Sequence, residues 1–172
     1  VFCCNHTSNW DPLVIMICAG YRHQLFAMAK AEIASWPVAG KILKLADMIF
    51  VERGKADIGA IRTAMKYLKN DRPILIFPEG TRNNNASETE LLPFHEGYFK
   101  IATKTGCPII PVCISHSSAV FEDNLPRIVP THVTIEYGAP IYPKELSREE
   151  QKFIGKHVQE LMTETLKKNA LE

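Results

Sequence analysis

The chain has 172 residues, 46% of them apolar and 23% charged, a composition that suits one globular domain with a sizeable core. Its 20 basic and 19 acidic residues leave a net charge of +1, so no global field draws it to nucleic acid and any anion site must be local. Five cysteines, an odd number without Cys-x-x-Cys spacing, fit neither a disulfide framework nor a zinc site and suit a reducing cytoplasm.

In chain order, short β-rich apolar runs alternate with stretches at helical spacing, with no internal repeat and no low-complexity linker. Strands are predicted over 1–4, 24–29, 47–52, 73–77, 108–115 and 132–137, mostly apolar on both faces as buried strands are. After the first strand, Pro12 suits the opening turn of a helix capped either by Ser8, with Asp11 closing the box, or by Asp11 itself. A helix over 57–70, with Asp57 as N-cap, is expected to bury Ile58, Ile61, Met65 and Leu68. Another over 96–105 stops at Gly106. The last, 147–169, opens on a Ser147/Glu150 capping box and is expected to cover the sheet with Ile154, Val158, Leu161 and Leu166. This order predicts an α/β fold, a single domain over 1–172 with a central, mostly parallel or mixed sheet of about six or seven strands flanked by helices. The apolar run 13–21 is far short of the roughly 18 to 20 residues that span a bilayer. The chain opens without methionine inside an apolar run and is read as a fragment.

Three polar clusters each follow a predicted strand: NHTSNWD (5–11), VERG (51–54) and FPEGTRN (77–83). The carboxyl ends of parallel strands lie along one edge of an open sheet, where ligands bind, so distant clusters can converge on one crevice. A continuous helix would aim His6 and Asp11 about 140° apart, so the chain must bend between them. Folded back, Asp11 would fix the tautomer of His6 and leave the other ring nitrogen free to take a proton. Alone, the same cluster reads more readily as a polar turn with a satisfied histidine, and that reading is favoured. No Gly-x-Ser-x-Gly elbow supplies a nucleophile, which leaves a substrate hydroxyl for that part. Cys4, two residues before His6, is either an acyl-accepting thiol or a small buried core residue, and the core reading is favoured. Arg53 and Gly54 sit at a strand-to-helix junction where a guanidinium can fork onto phosphate. In the third cluster, Pro78 and Gly80 turn the chain, and Glu79 and Arg82 either serve a ligand or pair with one another on the surface.

Together the clusters resemble the glycerolipid acyltransferase superfamily, most closely its lysophosphatidic acid acyltransferases. NHTSNWD is similar to the family's His-x4-Asp block, IFVERG to its second block, FPEGTRN to its third and PIIPV to its fourth, in order over residues 5–112. The resemblance implies a glycerol-3-phosphate acyltransferase-like fold and transfer of a fatty acyl group from a thioester to the free hydroxyl of lysophosphatidic acid. It makes His6 the general base and Asp11 its orienting partner. It assigns Arg53, Gly54, Glu79, Gly80, Thr81 and Arg82 to the acceptor, and places Pro111 near the donor. It implies no metal and no bound cofactor, with acyl-coenzyme A or acyl carrier protein thioester as co-substrate. It also implies a protein held, peripherally or monotopically, on the cytoplasmic side of the membrane by an N-terminal segment missing here, with acyl carrier protein as a further candidate partner. Many relatives follow the third block with a Pro-Phe-Lys-Lys-Gly-like stretch, where this chain has PFHEGYFK, with His95 and Glu96 in place of the basic pair and Lys100 one turn on.

The chemistry agrees with the residues. A free histidine, with pKa near 6.5, is mostly neutral at pH 7 and can take the proton of an attacking alcohol, a contribution of about 10²- to 10⁴-fold. Oxyanion donors are expected either among backbone amides at the helix start after Ser8 or in the bend around Gly80. Acylation of glycerol 3-phosphate or another lysophospholipid is the alternative within the class. Outside it stand an acyl-thioester hydrolase and a non-catalytic phospholipid-binding module.

Overall fold

The computed structural model describes residues 1–19, 25–35, 48–51, 58–85 and 87–171. Six strands form one sheet: β1 (Phe2–Cys4), β2 (Phe26–Lys30), β3 (Ile49–Val51), β4 (Ile74–Ile76), β5 (Ile110–Ser115) and β6 (Thr134–Tyr137). Their order is β3-β2-β4-β1-β5-β6, parallel throughout except for β6, which closes antiparallel on β5. The mixed α/β sheet expected from the sequence is therefore present, each strand within two residues of its predicted span. Positions 24, 47 and 52 of those spans lie outside the described residues.

Because side chains alternate across a strand, neighbours in sequence enter different cores. Cys3, Ile74 and Ile76 face one core together with helices α2 (Ile58–Lys69), α3 (Glu96–Thr105) and α4 (Ile154–Asn169). Cys4, Leu75, Val112 and Ile114 face the other, covered by α1 (Asp11–Cys18) through Ile15.

Two predicted helix faces need correction. On α2 the buried stripe is Ala60, Ala64 and Leu68, with Ile61 and Met65 beside it, while Ile58 is 60% exposed. On α4, Met162 takes the place expected of Leu161, which is 36% exposed. In both cases a small or flexible residue takes the buried position, which hydropathy alone does not identify.

The ends of the helices follow their caps. Gly106 stops α3 in the left-handed region, φ 71°, its amide donating to Ala102 O at 2.8 Å. Ser147 and Glu150 make the predicted reciprocal box, at 2.7 and 3.3 Å, but it caps a 3₁₀ turn over 150–153 rather than α4 itself. The first amides of α4, on Gly155 and Lys156, are instead held by the Glu96 carboxylate at 3.2 Å each, an anion placed at a helix N-terminus. Asp57, the expected cap of α2, lies outside the described residues. No helix among the described residues is long and apolar enough to cross a membrane.

Candidate active site

Strand register brings the first and third clusters together. Cys3 pairs with Ile76, and continuing that register three residues beyond this pair sets His6 beside Glu79. The two segments are joined there by hydrogen bonds. His6 N donates to Glu79 Oε1 at 2.9 Å, and Asn83 N donates to His6 O at 2.6 Å. On the opposite flank Asn5 bonds both polar groups of Ile114, at 2.9 Å each, and Thr7 Oγ1 meets Ser117 Oγ at 2.8 Å. The His6 segment is thus stitched between β4 and β5.

Within it the chain bends as the residue types require. His6 stays outside α1, and its Nδ1 lies 3.0 Å from Asp11 Oδ2. The amides of Thr7 and Ser8 donate to the same oxygen at 2.8 Å each, so three donors fix a carboxylate that is fully buried. Of the two capping schemes, Asp11 closes on Ser8 N as a box partner would, while Ser8 Oγ accepts from Trp10 N at 3.1 Å. With Nδ1 donating to Asp11, the lone pair of the ring falls on Nε2. The imidazole rests on Phe77, centroids 4.4 Å apart and planes tilted by 32°, and keeps 18% of its side chain exposed. The ring is thus oriented through Nδ1 and stays partly open to solvent.

Glu79, which the resemblance assigns to the acceptor, is 3% exposed and spends both oxygens on backbone: Oε1 on His6 N, Oε2 on Leu92 N at 2.9 Å. Burial pushes its carboxyl above the usual range, and the amides of Leu92 and His6 pull the other way. A surface pair between Glu79 and Arg82 is not what forms. Arg82, its side chain 35% exposed, instead lies with Nη1 3.7 Å from Glu122 Oε1. Gly80 is left-handed, φ 68°, and a Cβ there would stand 3.0 Å from the His95 ring, so the bend favours glycine. Thr81 is exposed beside it. Pro111 lies in β5, paired with Cys3 three residues before His6. Arg53 and Gly54 lie outside the described residues; β3, which precedes them, ends on the same edge as β1, three strand spacings or about 14 Å away. Of the PFHEGYFK departure, Glu96 is occupied at α4, and exposed His95 remains over Gly80.

Most amides at the helix start are spent on other acceptors. The amides of Thr7 and Ser8 go to Asp11, Asn9 to Glu122, Trp10 to Ser8 Oγ and Asp11 to Ser8 O, and Pro12 has none. Gly80 N donates to Phe77 O. A separate cleft of about 540 Å³, lined by residues including Glu88, Ser115, His116 and Asp123, contains neither His6 nor Asp11, so the chemistry rather than the size of a cavity marks the site. Among the described residues no His, Cys, Asp and Glu side chains gather as a metal site.

Cys4 is fully buried, and burial raises its thiol well above the ordinary range, which disfavours the thiolate an acyl-enzyme would need. Cys113 is likewise pushed up to about 12, whereas Cys18 is exposed. Alkylation of the folded protein should therefore modify Cys18 well before Cys3, Cys4 or Cys113. Cys4→Ala should keep turnover within about threefold while costing about 1 kcal/mol of stability. A mass shift equal to one acyl chain on a Cys4-containing peptide after donor alone would contradict this.

Sequence reasoning missed Phe77 and Asn5 as supports of the base, although both lie in or beside the polar clusters. It missed Glu122 altogether, because a lone glutamate in a loop carries no spacing signal.

The chain is similar to several known proteins. The model of the Acyltransferase family matches residues 1–115. A 1-acyl-sn-glycerol-3-phosphate acyltransferase of Cocos nucifera is 33% identical over 82% of this chain and 45% of its own length. The enzyme of that name from Escherichia coli is 29% identical over 96% of this chain and 66% of its own. A lyso-ornithine lipid O-acyltransferase of Pseudomonas aeruginosa is 34% identical over 65% of this chain and 41% of its own. The solved 1-acyl-sn-glycerophosphate (LPA) acyltransferase of Thermotoga maritima superposes with a TM-score of 0.78 at 27% identity, over 99% of this chain and 66% of that one. The chain spans about half the length of several curated relatives that it matches. With the matched model running from the His6 strand to the end of β5, the chain belongs to the Acyltransferase family.

Proposed function

We propose that this chain moves a fatty acyl group from an acyl thioester to the free hydroxyl of lysophosphatidic acid, giving phosphatidic acid. The observation that carries the reading is the 3.0 Å bond between His6 Nδ1 and Asp11 Oδ2, which leaves Nε2 free on a partly exposed ring in a segment bonded to the loop that carries Arg82. The names of the Cocos and Thermotoga relatives support the acceptor.

In this mechanism the acceptor oxygen attacks the thioester carbonyl carbon while Nε2 takes its proton, and Asp11 stabilises the imidazolium that forms. Collapse of the tetrahedral intermediate breaks the carbon–sulfur bond, and the imidazolium returns the proton to the leaving thiolate. No covalent acyl-enzyme is required. Arg82 and Thr81, with Arg53 and Gly54, receive the acceptor's phosphate. Gly80 permits the bend and Glu79 holds it from behind, while Pro111 lies toward the donor. The donor is acyl-coenzyme A or acyl carrier protein, and the chain works at the cytoplasmic membrane surface, held there through a segment outside these residues. The Pseudomonas relative favours a second acceptor class, a lysolipid with an ornithine headgroup, through the same base.

The test supplies radiolabelled palmitoyl-coenzyme A with lysophosphatidate, glycerol 3-phosphate, lyso-ornithine lipid or no acceptor in mixed micelles. Label should pass to phosphatidic acid. Free fatty acid released equally fast without acceptor would make the chain a hydrolase. Lysophosphatidate binding that survives His6→Ala, without turnover of any acceptor, would make it a binding module.

A further inference from the structure

Glu122 lies after β5, beyond the residues that the family model matches and outside every motif of the sequence. Three groups of the site nevertheless converge on its carboxylate. Oε2 accepts from the Ser8 hydroxyl at 2.8 Å, and Oε1 accepts from the Asn9 amide at 2.8 Å and lies 3.7 Å from Arg82 Nη1. Ser8 and Asn9 form the turn between His6 and Asp11, and the amide of Ser8 itself bonds Asp11. A carboxylate with each oxygen committed to a different partner cannot rotate without breaking both contacts, and its side chain is only 13% exposed, which limits competition from water.

We propose that Glu122 is a positioning residue that ties the turn carrying the general base to the guanidinium that faces the acceptor. It does two separable things. Its hydrogen bonds to Ser8 and Asn9 hold the His6–Asp11 turn, and its negative charge keeps Arg82 turned toward that turn rather than into solvent. The first should appear in kcat and the second in KM for a phosphate-bearing acceptor. The division rests on the acyltransferase reading above, but the hydrogen-bonded hold does not.

Two substitutions separate the parts. In Glu122→Gln the amide oxygen can still accept from Asn9 N, and the amide nitrogen can donate to Ser8 Oγ, so the hold survives while the charge is lost. Glu122→Ala removes both. With palmitoyl-coenzyme A and oleoyl-lysophosphatidate, E122Q is expected to keep kcat within about twofold and raise KM for lysophosphatidate by about threefold or more. E122A should show the same rise in KM and lose about tenfold or more in kcat. Hydrogen exchange at the Asn9 amide should quicken about tenfold in E122A while β4 and β5 stay protected. A kcat and KM within twofold of wild type in E122A, or a fall in KM in E122Q, would overturn the proposal. If wild type transfers to no acceptor, the functional reading fails, and two measurements decide Glu122 by themselves: Asn9 exchange in E122A and the shift of the Arg82 guanidinium Nε–H resonance on adding inorganic phosphate to E122Q. Faster exchange with a weakened phosphate shift upholds the tie, and no change in either overturns it.

Discussion

His6→Ala should lower kcat for transfer to lysophosphatidate by about 10²- to 10⁴-fold, the usual worth of a general base, and should do so in a folded protein. The imidazole lies tilted against Phe77 and, among the described residues, its side chain bonds only Asp11, so its loss is expected to cost about 1 kcal/mol and lower Tm by about 2–4 °C. Asp11→Asn is the sharper partner variant. The three donors of Asp11 all meet one oxygen, so an amide oxygen placed there can still accept from His6, Thr7 and Ser8. What disappears is the charge opposite the imidazolium. A charged hydrogen bond is worth about 1.5–3 kcal/mol, so kcat should fall about 10- to 10²-fold. The new NH₂ would replace Oδ1, a buried atom without a hydrogen-bond partner among the described residues, so stability should fall by about 1–3 kcal/mol as well. Steady-state kinetics beside thermal melts distinguish these losses. A kcat for Asp11→Asn equal to wild type would mean that the carboxylate charge does not support the base.

The second large effect is expected at Glu79. Replacing it with alanine strands the amides of His6 and Leu92, each worth about 1–3 kcal/mol when buried and unpaired, so Tm should drop by about 6 °C or more. Because one of those amides belongs to His6, kcat should fall with it. Glu79→Gln keeps one acceptor and should lose less. The pH dependence has a definite sign. Burial holds the carboxyl above its ordinary range, so the folded chain binds that proton more tightly than the unfolded chain does. Such a group contributes stability that is full below the unfolded value and is lost as pH rises through the folded one. The advantage of wild type over Glu79→Gln should therefore be largest near pH 4 and shrink toward pH 7. Denaturant titrations at several pH values measure it, and a gap that widens with pH would show that the two amides outweigh burial.

The sheet was legible because parallel strands buried on both faces leave unbroken apolar runs, as at Ile74–Ile76 and Ile110–Ser115. The end of α3 was legible from Gly106 and the beginning of α1 from Pro12, since each residue has one conformational use there. The faces of α2 and α4 were less so. Periodicity selects large residues such as Ile58 and Leu161, while close packing selects Ala60, Ala64 and Met162. The pair His6 and Asp11 could be read from turn chemistry, because a bend was the only way to bring them together. The service of Glu79 to backbone was hidden, since it depends on the β1–β4 register, which sequence does not number. Glu122 was hidden for a similar reason: its partners lie more than a hundred positions away at Ser8 and Asn9.

The pH dependence of kcat at saturating lysophosphatidate, compared between wild type and His6→Ala, tests the central claim most directly. Any ionisation of the acceptor's phosphate is common to both proteins. Wild type should show a limb that climbs tenfold per pH unit from the acid side to a plateau, and the residual activity of His6→Ala should lack it. An unchanged limb in the variant would show that a group other than His6 takes the proton.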